Sequence, residues 1–298
     1  MVELRVEGLV HVYGDGGVRA LDGIELGIGG GERVALVGQN GSGKTTLVRH
    51  LNGLLRPTEG RVSVDGIDAS RLTVAQLASR VGLVFQDPDR QIFAGSVRSE
   101  VEFGPRNLRR AGDELNDAVA AALVATGLEA EGATNPYDLG QSRRKLLALA
   151  SVLAMRTPVL VLDEPTTGQD ARGVDRVRRV VEAVAAEGRT VIAISHDMRF
   201  VAETFERVIV MRAGRVILDG PPTRVFAEDA WERLRSTFLE PPLAAVVGER
   251  LGLGSTPTDA SLIRVLTREP GGDATNHPPA EHAGHRLRHD PGRHARSE

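Results

Sequence analysis

The sequence predicts an α/β fold built on a parallel sheet, with an antiparallel sheet edge near the N-terminus and a helical insert. The first observation is a glycine-rich loop, 38–46, between a short apolar strand and leucines at helical spacing. The second is a pair of continuous apolar runs, 159–162 and 191–194, typical of parallel strands buried on both faces. The third is a helical pattern from Asp87 to about Met155, between the loop and the first of these runs.

The N-terminal part of the chain shows the alternation of half-exposed strands. Apolar and charged residues alternate over 2–6, and 24–28 repeats the pattern. A buried strand is predicted at 33–37, directly before the glycine-rich loop, and the helix after the loop is expected to run to residue 55, two positions before a proline. Val62 and Val64, followed by Asp65-Gly66, predict a hairpin strand.

The rest of the chain alternates strands and helices and then loses its apolar residues. The predicted elements are strand 81–85, helices near 114–126 and 143–155, strand 159–162, a helix near 173–187, strands 191–194, 207–211 and 215–218, a short amphipathic helix at 231–239, and apolar segments near 243–253 and 260–266. From Glu269 onward proline, glycine, histidine and arginine dominate, which predicts disorder. The expected divisions are a main domain 1–225 with its helical part at about 87–156, a helical extension 226–268, and a disordered tail 269–298.

Composition excludes several function classes. With 298 residues the chain can bury a large core, and its net charge of −3 does not favour binding to nucleic acid. Without cysteine it has no disulfide framework, thiolate metal site or cysteine nucleophile. The chain has no apolar run of membrane-spanning length and no N-terminal signal pattern, which predicts a cytosolic protein.

The glycine-rich loop fits the pattern G-x-x-x-x-G-K-[ST] in its proper context of strand, loop and helix. Its residues are Gly38, Gln39, Asn40, Gly41, Ser42, Gly43, Lys44, Thr45 and Thr46. Glycines let backbone N–H groups curl closely around a polyphosphate at a helix N-terminus. Lys44 is predicted to reach the β- and γ-phosphates and the Thr45 hydroxyl to ligate Mg²⁺. The alternative is a chance match; with every flanking condition met, we interpret the loop as a nucleoside triphosphate site.

A second motif completes the chemistry. The apolar run 159–162 ends in Asp163-Glu164, a Walker B arrangement in which Asp163 would hold Mg²⁺ through water and Glu164 would polarise the attacking water. Such a pair is common at strand ends, but together with the phosphate loop it predicts hydrolysis of the triphosphate. A guanine-nucleotide switch is disfavoured, because no Asn-Lys-x-Asp motif exists.

Over roughly 2–222 the sequence resembles the ATP-binding subunits of ABC transporters. The residues that carry the resemblance are Tyr13, GQNGSGKTT at 38–46, Gln86, VLVLDEPTTGQD at 159–170, and His196. The resemblance implies a RecA-like α/β core with an antiparallel β subdomain and a helical subdomain. It implies that Tyr13 stacks on adenine, that Gln86 is the Q-loop ligand linking Mg²⁺ to a transmembrane subunit, that Gln169-Asp170 forms the D-loop, and that His196 contacts the γ-phosphate. Taken singly, these could be a surface tyrosine, a strand-end glutamine and a capping histidine.

The segments 85–93 and 101–108 narrow the resemblance to the ATPases of energy-coupling factor (ECF) importers of vitamins and transition metals, cobalt and nickel carriers among them. The helical annex 226–268 is also similar to that group's C-terminal extension. The resemblance implies ATP hydrolysis with Mg²⁺ on the cytoplasmic face of the membrane, peripherally bound to a transmembrane subunit, with a second ABC ATPase and a substrate-binding membrane subunit as further partners. The alternative is a soluble non-transport ABC ATPase, against which the absence of a coiled-coil insertion and of tandem cassettes argues.

One departure from the family concerns its signature LSGGQ, which in relatives binds the γ-phosphate held by the opposite subunit. The family's interval before Asp163 places Leu139-Gly140-Gln141-Ser142-Arg143 there. Gly140 replaces the serine, and Gln141 and Ser142 replace the two glycines, so the Ser142 hydroxyl and the N–H groups of the following helix remain as donors. We expect a heterodimer in which this signature supports hydrolysis poorly, whereas a working homodimer is the alternative.

Two further hypotheses concern charged residues. Asp87 and Asp89 would receive arginines from the transmembrane subunit, with Ile92 and Phe93 lining the floor of that groove, or they simply favour a helix N-terminus. The tail histidines, His277, His282, His285, His289 and His294, could bind Ni²⁺ or Co²⁺ loosely. Their irregular spacing favours a plain disordered tail.

Overall fold

The computed structural model of the chain describes residues 2–14 and 17–267, which form ten strands and eleven α-helices. The strands are β1 Leu4–Val12, β2 Arg19–Ile28, β3 Arg33–Val37, β4 Glu59–Val64, β5 Ile67–Asp68, β6 Val81–Val84, β7 Val159–Asp163, β8 Thr190–Ile194, β9 Arg207–Arg212 and β10 Arg215–Gly220. The helices are α1 Lys44–Leu51, α2 Val74–Ala78, α3 Val97–Asn107, α4 Gly112–Thr126, α5 Gln141–Leu153, α6 Ala171–Ala186, α7 Met198–Thr204, α8 Pro222–Val225, α9 Trp231–Arg235, α10 Leu243–Arg250 and α11 Asp259–Leu266. The tail 269–298, predicted to be disordered, and its histidines lie outside the described residues.

The larger sheet has six strands in the order β10-β9-β3-β8-β7-β6. The five strands from β9 to β6 run parallel, and β10 pairs antiparallel with β9. Every residue of β7 and β8 is buried, as their continuous apolar runs predict. Helices α5, α6 and α7 cover one face of the sheet, whereas α1 and the smaller, antiparallel sheet cover the other. In the register, Leu36 of β3 and Asp163 of β7 both lie opposite Ile194 of β8. The carboxyl ends of these strands therefore meet at one edge, where α/β sheets bind ligands.

The smaller sheet is antiparallel, in the order β2-β1-β4-β5. Leu4 and Val6 of β1 are buried, whereas Arg5 between them is exposed, in agreement with the predicted alternation. The strand ends one residue before Tyr13, which places that side chain near the phosphate loop. The predicted combination of a parallel core and an antiparallel sheet edge is thus present.

The predicted helical insert consists of α3, α4 and α5, which lie between β6 and β7 in the chain and pack against one another. Residues 146–152 of α5 are all buried, because the helix packs against α3 and α4 as well as against β6 and β7. The first turn of α5 faces a different neighbour, the turn that follows β7. This helix therefore connects the insert to the edge of the parallel sheet.

The helix after the phosphate loop is shorter than predicted. It ends at Leu51, and Gly53 turns the chain with φ 77°, a left-handed conformation that glycine adopts without strain. A Cβ at Gly53 would lie 2.4 Å from Leu77 Cδ1, so packing against α2 also requires a glycine there. The expectation that the helix reaches residue 55 was wrong, because a glycine, not the proline, ends it.

The C-terminal annex is helical, with one shortened element. The helix predicted over 231–239 ends at Arg235, and Phe238 adopts φ 58° with its side chain exposed. Helices α10 and α11 occupy the two predicted apolar segments. Between residues 2 and 267, apart from the undescribed pair 15–16, no helix is both long and apolar enough to cross a bilayer.

Candidate nucleotide-binding site

The phosphate loop depends on glycines that no other residue could replace. Gly38 has φ 146° and Gly43 has φ 100°, both outside the range that side-chain-bearing residues favour. A Cβ at Gly38 would lie 2.2 Å from the Met211 carbonyl oxygen, and one at Gly43 would lie 2.5 Å from that of Ala20. The loop is therefore packed tightly between β2 and the end of β9, which shapes its backbone independently of any ligand.

The Lys44 ammonium lies inside this loop. Its Nζ donates to the carbonyl oxygens of Gly38 at 2.7 Å and Gln39 at 2.9 Å. Burial lowers the pKa of Lys44, while the negative charges of Glu164 and Asp163 oppose that shift. The Lys44 Nζ also lies 3.4 Å from the Ser42 hydroxyl oxygen. A buried ammonium bonded to neutral oxygens is well placed to exchange them for phosphate oxygens, with which it forms stronger charge-assisted bonds.

Thr45 and Asp163 meet at the edge of the sheet, as Mg²⁺ binding requires. The Thr45 hydroxyl donates to Asp163 Oδ2 at 3.0 Å, whereas Asp163 Oδ1 is buried with no hydrogen-bond partner among the described residues. Burial raises the pKa of Asp163, and the bond from Thr45 partly opposes this rise. An unpaired carboxylate oxygen beside a hydroxyl provides the hard oxygen ligands that Mg²⁺ prefers, so these residues fit that ion.

Glu164 follows β7 directly in a left-handed conformation, φ 53°, unusual for a residue with a side chain. Its backbone N–H donates to the Ile194 carbonyl. Its Oε2 accepts hydrogen bonds from His196 Nδ1 at 2.7 Å and from the Thr167 hydroxyl at 3.2 Å. Side chains from the ends of two neighbouring strands thus hold one carboxylate oxygen of a residue whose side chain is largely buried.

The Tyr13 side chain contacts α1, the helix that follows the phosphate loop. Its hydroxyl lies 3.2 Å from Thr46 Oγ1, and its ring meets the edge of the His11 ring at 4.5 Å. Behind it His50 donates through Nδ1 to the Thr46 carbonyl at 2.7 Å, and its Nε2 lies 3.2 Å from His11 Nδ1. Tyr13 remains 40% exposed, so part of its surface is accessible to a ligand.

Most of the predicted site residues surround one cleft of about 370 Å³. The predicted residues that line it are Tyr13, Asn40, Gly41, Ser42, Gly43, Lys44, Thr45, Thr46, Gln86, Asp163 and Glu164. Gly38 and Gln39 form the base of the loop through their bonds to Lys44, and His196 reaches the cleft through Glu164. Gly140, Gln141, Ser142 and Asp170 do not line it.

Those four residues belong to the start of α5 and to the turn before α6. Gly140 precedes α5 without a side-chain cap on the helix, so the first N–H groups keep no side-chain partner there. The Ser142 hydroxyl donates to Gln169 Oε1 at 2.7 Å, and Gln169 Nε2 donates back to the Ser142 carbonyl at 3.0 Å. Asp170 caps α6 by accepting from the Gly173 N–H at 2.7 Å. The one side-chain donor that sequence reasoning left in the signature thus bonds within its own chain.

The residues after Gln86 are arranged only partly as expected for a groove that receives the transmembrane subunit. Ile92 is buried in the core, so its placement on the floor of a groove was wrong. Phe93 is exposed and stacks edge-on against the exposed Phe103 at 4.6 Å. Asp89 already pairs with Arg144 of α5, Oδ1 to Nε at 3.1 Å.

Sequence reasoning missed two side chains that connect the site to α5. Lys145 Nζ donates to the Thr167 carbonyl at 2.7 Å and lies 3.4 Å from that of Glu164. Gln91 accepts from the Phe85 N–H and donates to the Ala148 carbonyl of α5. The available signal was composition, since Lys145 is the only lysine besides Lys44 in an arginine-rich chain.

Comparison with known proteins gives consistent matches. The family described as ABC transporter matches residues 21–167. The chain is 40% identical over 264 residues to the energy-coupling factor transporter ATP-binding protein EcfA of Methanothermobacter thermautotrophicus, covering 88% of this chain and 83% of that protein. It is 42% identical over 251 residues to a putative ABC transporter ATP-binding protein of Caldanaerobacter subterraneus subsp. tengcongensis, covering 84% of this chain. Of that longer relative the chain spans only 44% of the length.

A solved structure resembles the chain over most of its length. CbiO1 from Clostridium perfringens, described as part of the ABC transporter complex CbiONQ, matches with a TM-score of 0.69 and 38% sequence identity. The match covers 84% of this chain and 98% of that one.

Proposed function

The chain belongs to the ATP-binding subunits of ABC transporters, and from this premise we propose that it hydrolyses ATP to energise uptake by a transporter of the energy-coupling factor type. The cleft that brings Tyr13, the phosphate loop, Gln86, Asp163 and Glu164 together carries this proposal. The similarity to an energy-coupling factor ATPase along most of that protein favours transport over a soluble, non-transport ATPase. The proposed cargo is a vitamin or a transition-metal ion, selected by a separate substrate-binding membrane subunit.

In this proposal the base of ATP stacks on Tyr13 and its phosphates lie along the loop. Lys44 exchanges the carbonyls of Gly38 and Gln39 for β- and γ-phosphate oxygens. Mg²⁺, held by Thr45, Gln86 and, through water, Asp163, would neutralise charge that develops on the phosphates. The unpaired Oδ1 of Asp163 supports this assignment.

Glu164 orients the attacking water and accepts its proton. His196 donates through Nδ1 to Glu164 Oε2, which fixes that oxygen and leaves the other for water. Because His196 is largely exposed at the rim, its ring can also turn towards a γ-phosphate. Such positioning of water and charge provides most of the catalysis in phosphoryl transfer.

We propose that two cassettes enclose two ATP molecules and that the partner is a different ATPase. The start of α5 would contact the ATP held by that partner through its uncapped N–H groups. The Ser142 hydroxyl bonds to Gln169 instead, so this signature offers fewer donors than a glycine-rich one. The site that uses this signature therefore hydrolyses poorly, whereas the ATP on this chain's own loop meets the partner's signature.

The transmembrane subunit is proposed to dock beside Gln86, at the cytoplasmic face of the membrane. The exposed pair Phe93 and Phe103 supplies aromatic surface there, which interfaces favour. Asp87 and Asp89 supply negative charge for arginines of the partner.

The experiment is Glu164→Gln in the full chain assembled with its partners. The amide keeps the shape of the carboxylate but cannot accept a proton, so we expect ATP turnover to fall about 10²- to 10³-fold with ATP still bound. Glu182→Gln on α6, a carboxylate remote from the cleft that pairs with Arg178 at 3.7 Å, is the matched control. Turnover near that of the unaltered protein in Glu164→Gln would contradict the proposal.

The proposed difference in hydrolysis between the two ATP sites is tested by placing the Walker B glutamate-to-glutamine change in this chain and, separately, in the partner ATPase. Our proposal requires the change at Glu164 to reduce transport far more. Equal losses, or rapid hydrolysis by this chain alone as a homodimer, would refute the heterodimer.

A further inference from the structure

Helix α5 holds the turn that carries Glu164. Lys145 Nζ donates to the carbonyl of Thr167 at 2.7 Å and contacts that of Glu164 at 3.4 Å. These carbonyls belong to the turn between β7 and α6, which also contains local backbone hydrogen bonds, such as that from the Thr167 N–H to the Glu164 carbonyl at 3.4 Å. The Lys145 ammonium of α5 therefore binds the turn at two carbonyl oxygens, one at its start and one three residues later.

This contact reaches the carboxylate of Glu164 through one further hydrogen bond. The Thr167 hydroxyl donates to Glu164 Oε2 at 3.2 Å, so the residue that Lys145 holds by its carbonyl holds the carboxylate by its side chain. Glu164 itself adopts φ 53°, a conformation that persists in a non-glycine residue only where its surroundings hold it. Lys145 supplies part of that constraint from outside the turn.

A second connection lies one helical turn earlier on α5. Ser142 and Lys145 are three residues apart and so lie on the same face of the helix. Ser142 and Gln169 exchange two hydrogen bonds, at 2.7 and 3.0 Å. Gly173 leaves room for this pair, since a Cβ there would lie 2.3 Å from Gln169 Oε1. The first turns of α5 are thus attached along the whole length of the turn 164–169.

Lys145 lies in a confined environment that carries nearby negative charges. The lysine is half-buried beside Asp163, Glu164 and Pro165, in a space of only about 10 Å³. Burial lowers its pKa, and the nearby negative charges of Glu164, Asp87 and Asp163 oppose this.

We propose that Lys145 is a positioning residue for ATP hydrolysis, which ties the signature helix to the turn that orients Glu164. This inference rests on the proposed function, because the start of α5 is there the segment that meets the ATP of the second cassette. If α5 shifts when it contacts that ATP, the hydrogen bonds of Lys145 would move the turn with it. The residue thereby links the occupancy of one ATP site to the carboxylate of the other.

The test is Lys145→Met in the full chain assembled with its partners. Methionine has a similar length but no donor, so we expect kcat for ATP to fall about tenfold or more, as small misplacements of catalytic groups do. The KM and the dissociation constant for ATP should change less than about twofold, because Lys145 does not line the ATP cleft. Lys145→Arg, which keeps a cation with several donors, should recover part of the lost kcat.

The matched control is Arg110→Met, which removes a cation bonded to the Ala154 carbonyl just beyond the other end of α5. We expect it to lower thermal stability without lowering kcat. If Lys145→Met does not fold, Lys145→Gln serves in its place. The glutamine side chain is shorter and uncharged, so we again expect kcat to fall while KM changes little.

An unchanged kcat in the folded Lys145 variant, or an equal loss in Arg110→Met, would overturn the proposal. A rise in KM without loss of kcat would also overturn it, because Lys145 would then act in binding. If Glu164→Gln in the same preparation leaves turnover intact, the proposed function fails instead, and the two failures are thereby distinguished.

Discussion

Ser142→Ala separates two arrangements of the altered signature. In the structure the Ser142 hydroxyl bonds to Gln169 of its own chain at 2.7 Å. The alternative arrangement directs the hydroxyl to the γ-phosphate held by a second cassette. The substitution removes the hydroxyl and leaves the bond from Gln169 Nε2 to the Ser142 carbonyl in place.

The expected magnitude follows from the type of bond that is lost. A neutral, half-buried hydrogen bond contributes about 1 kcal/mol net, or roughly a fivefold effect on an equilibrium. A bond to a charged phosphate contributes about 1.5–3 kcal/mol, or roughly 10- to 150-fold. On the geometry of the structure we expect the smaller effect, with a decrease in melting temperature of about 2–4 °C or less.

The assay measures ATP turnover in the complex in which Glu164 is replaced by glutamine, so that only the site using this chain's signature hydrolyses. Ser236→Ala, which removes an exposed hydroxyl bonded to the Arg233 carbonyl, is the control for loss of a serine hydroxyl. A loss of more than about tenfold at that site, with stability unchanged, would show that the hydroxyl binds phosphate and would refute the arrangement argued from the structure.

Three further predictions concern other parts of the molecule. Lys44→Ala should weaken ATP binding itself, by about 10-fold or more, because a charge-assisted phosphate contact is lost; equilibrium titration with a fluorescent ATP analogue measures it. Burial lowers the pKa of His50 below its ordinary 6.5, so below that pH the unfolded chain takes up a proton that the folded chain does not. The free energy of unfolding should therefore fall as pH decreases from about 7.5 to 5.5, by up to about 1.4 kcal/mol per pH unit. Denaturant unfolding of His50→Gln at several pH values should show a weaker dependence of that free energy on pH. Asp89→Arg should reduce co-purification with the transmembrane subunit without altering ATP affinity. Arg144→Gln, which removes the intrachain partner of Asp89 and a hydrogen bond to the Leu139 carbonyl, should not reproduce the loss. An equal loss in Arg144→Gln would mean that the internal ion pair, and not a partner's arginine, explains the effect.

The fold and most of the cleft were predictable because their signals are local. A strand that is buried on both faces must be apolar throughout, and the β3, β7 and β8 runs show this. Parallel strands place their carboxyl ends together, so the loop after β3 and the acidic pair after β7 were expected to meet. The Thr45–Asp163 bond across 118 residues agrees with that expectation.

Element ends and inward-facing residues were predicted less well. The end of α1 depended on how Gly53 packs against Leu77, which lies on a helix far along the chain. Ile92 and Phe93 are adjacent and both apolar, yet one is buried and the other exposed. Their difference arises from the packing of the segment against α5, and sequence patterns in a short irregular stretch do not contain that information.

The sequence by itself determined the chemistry of this protein: a glycine-bounded phosphate loop, an acidic pair at a strand end and the order of strands and helices. These follow from residues close in the chain, where backbone conformation and periodicity leave few alternatives. Only the tertiary structure decided the pairing of Ser142 with Gln169, of Glu164 with His196 and of Lys145 with the turn after β7. Those contacts join residues 22 to 32 positions apart in the chain, and they depend on how helix α5 and strand β8 pack beside β7. Hydrogen bonds between side chains have a short range, so no pattern along the chain specifies them until packing brings the partners together.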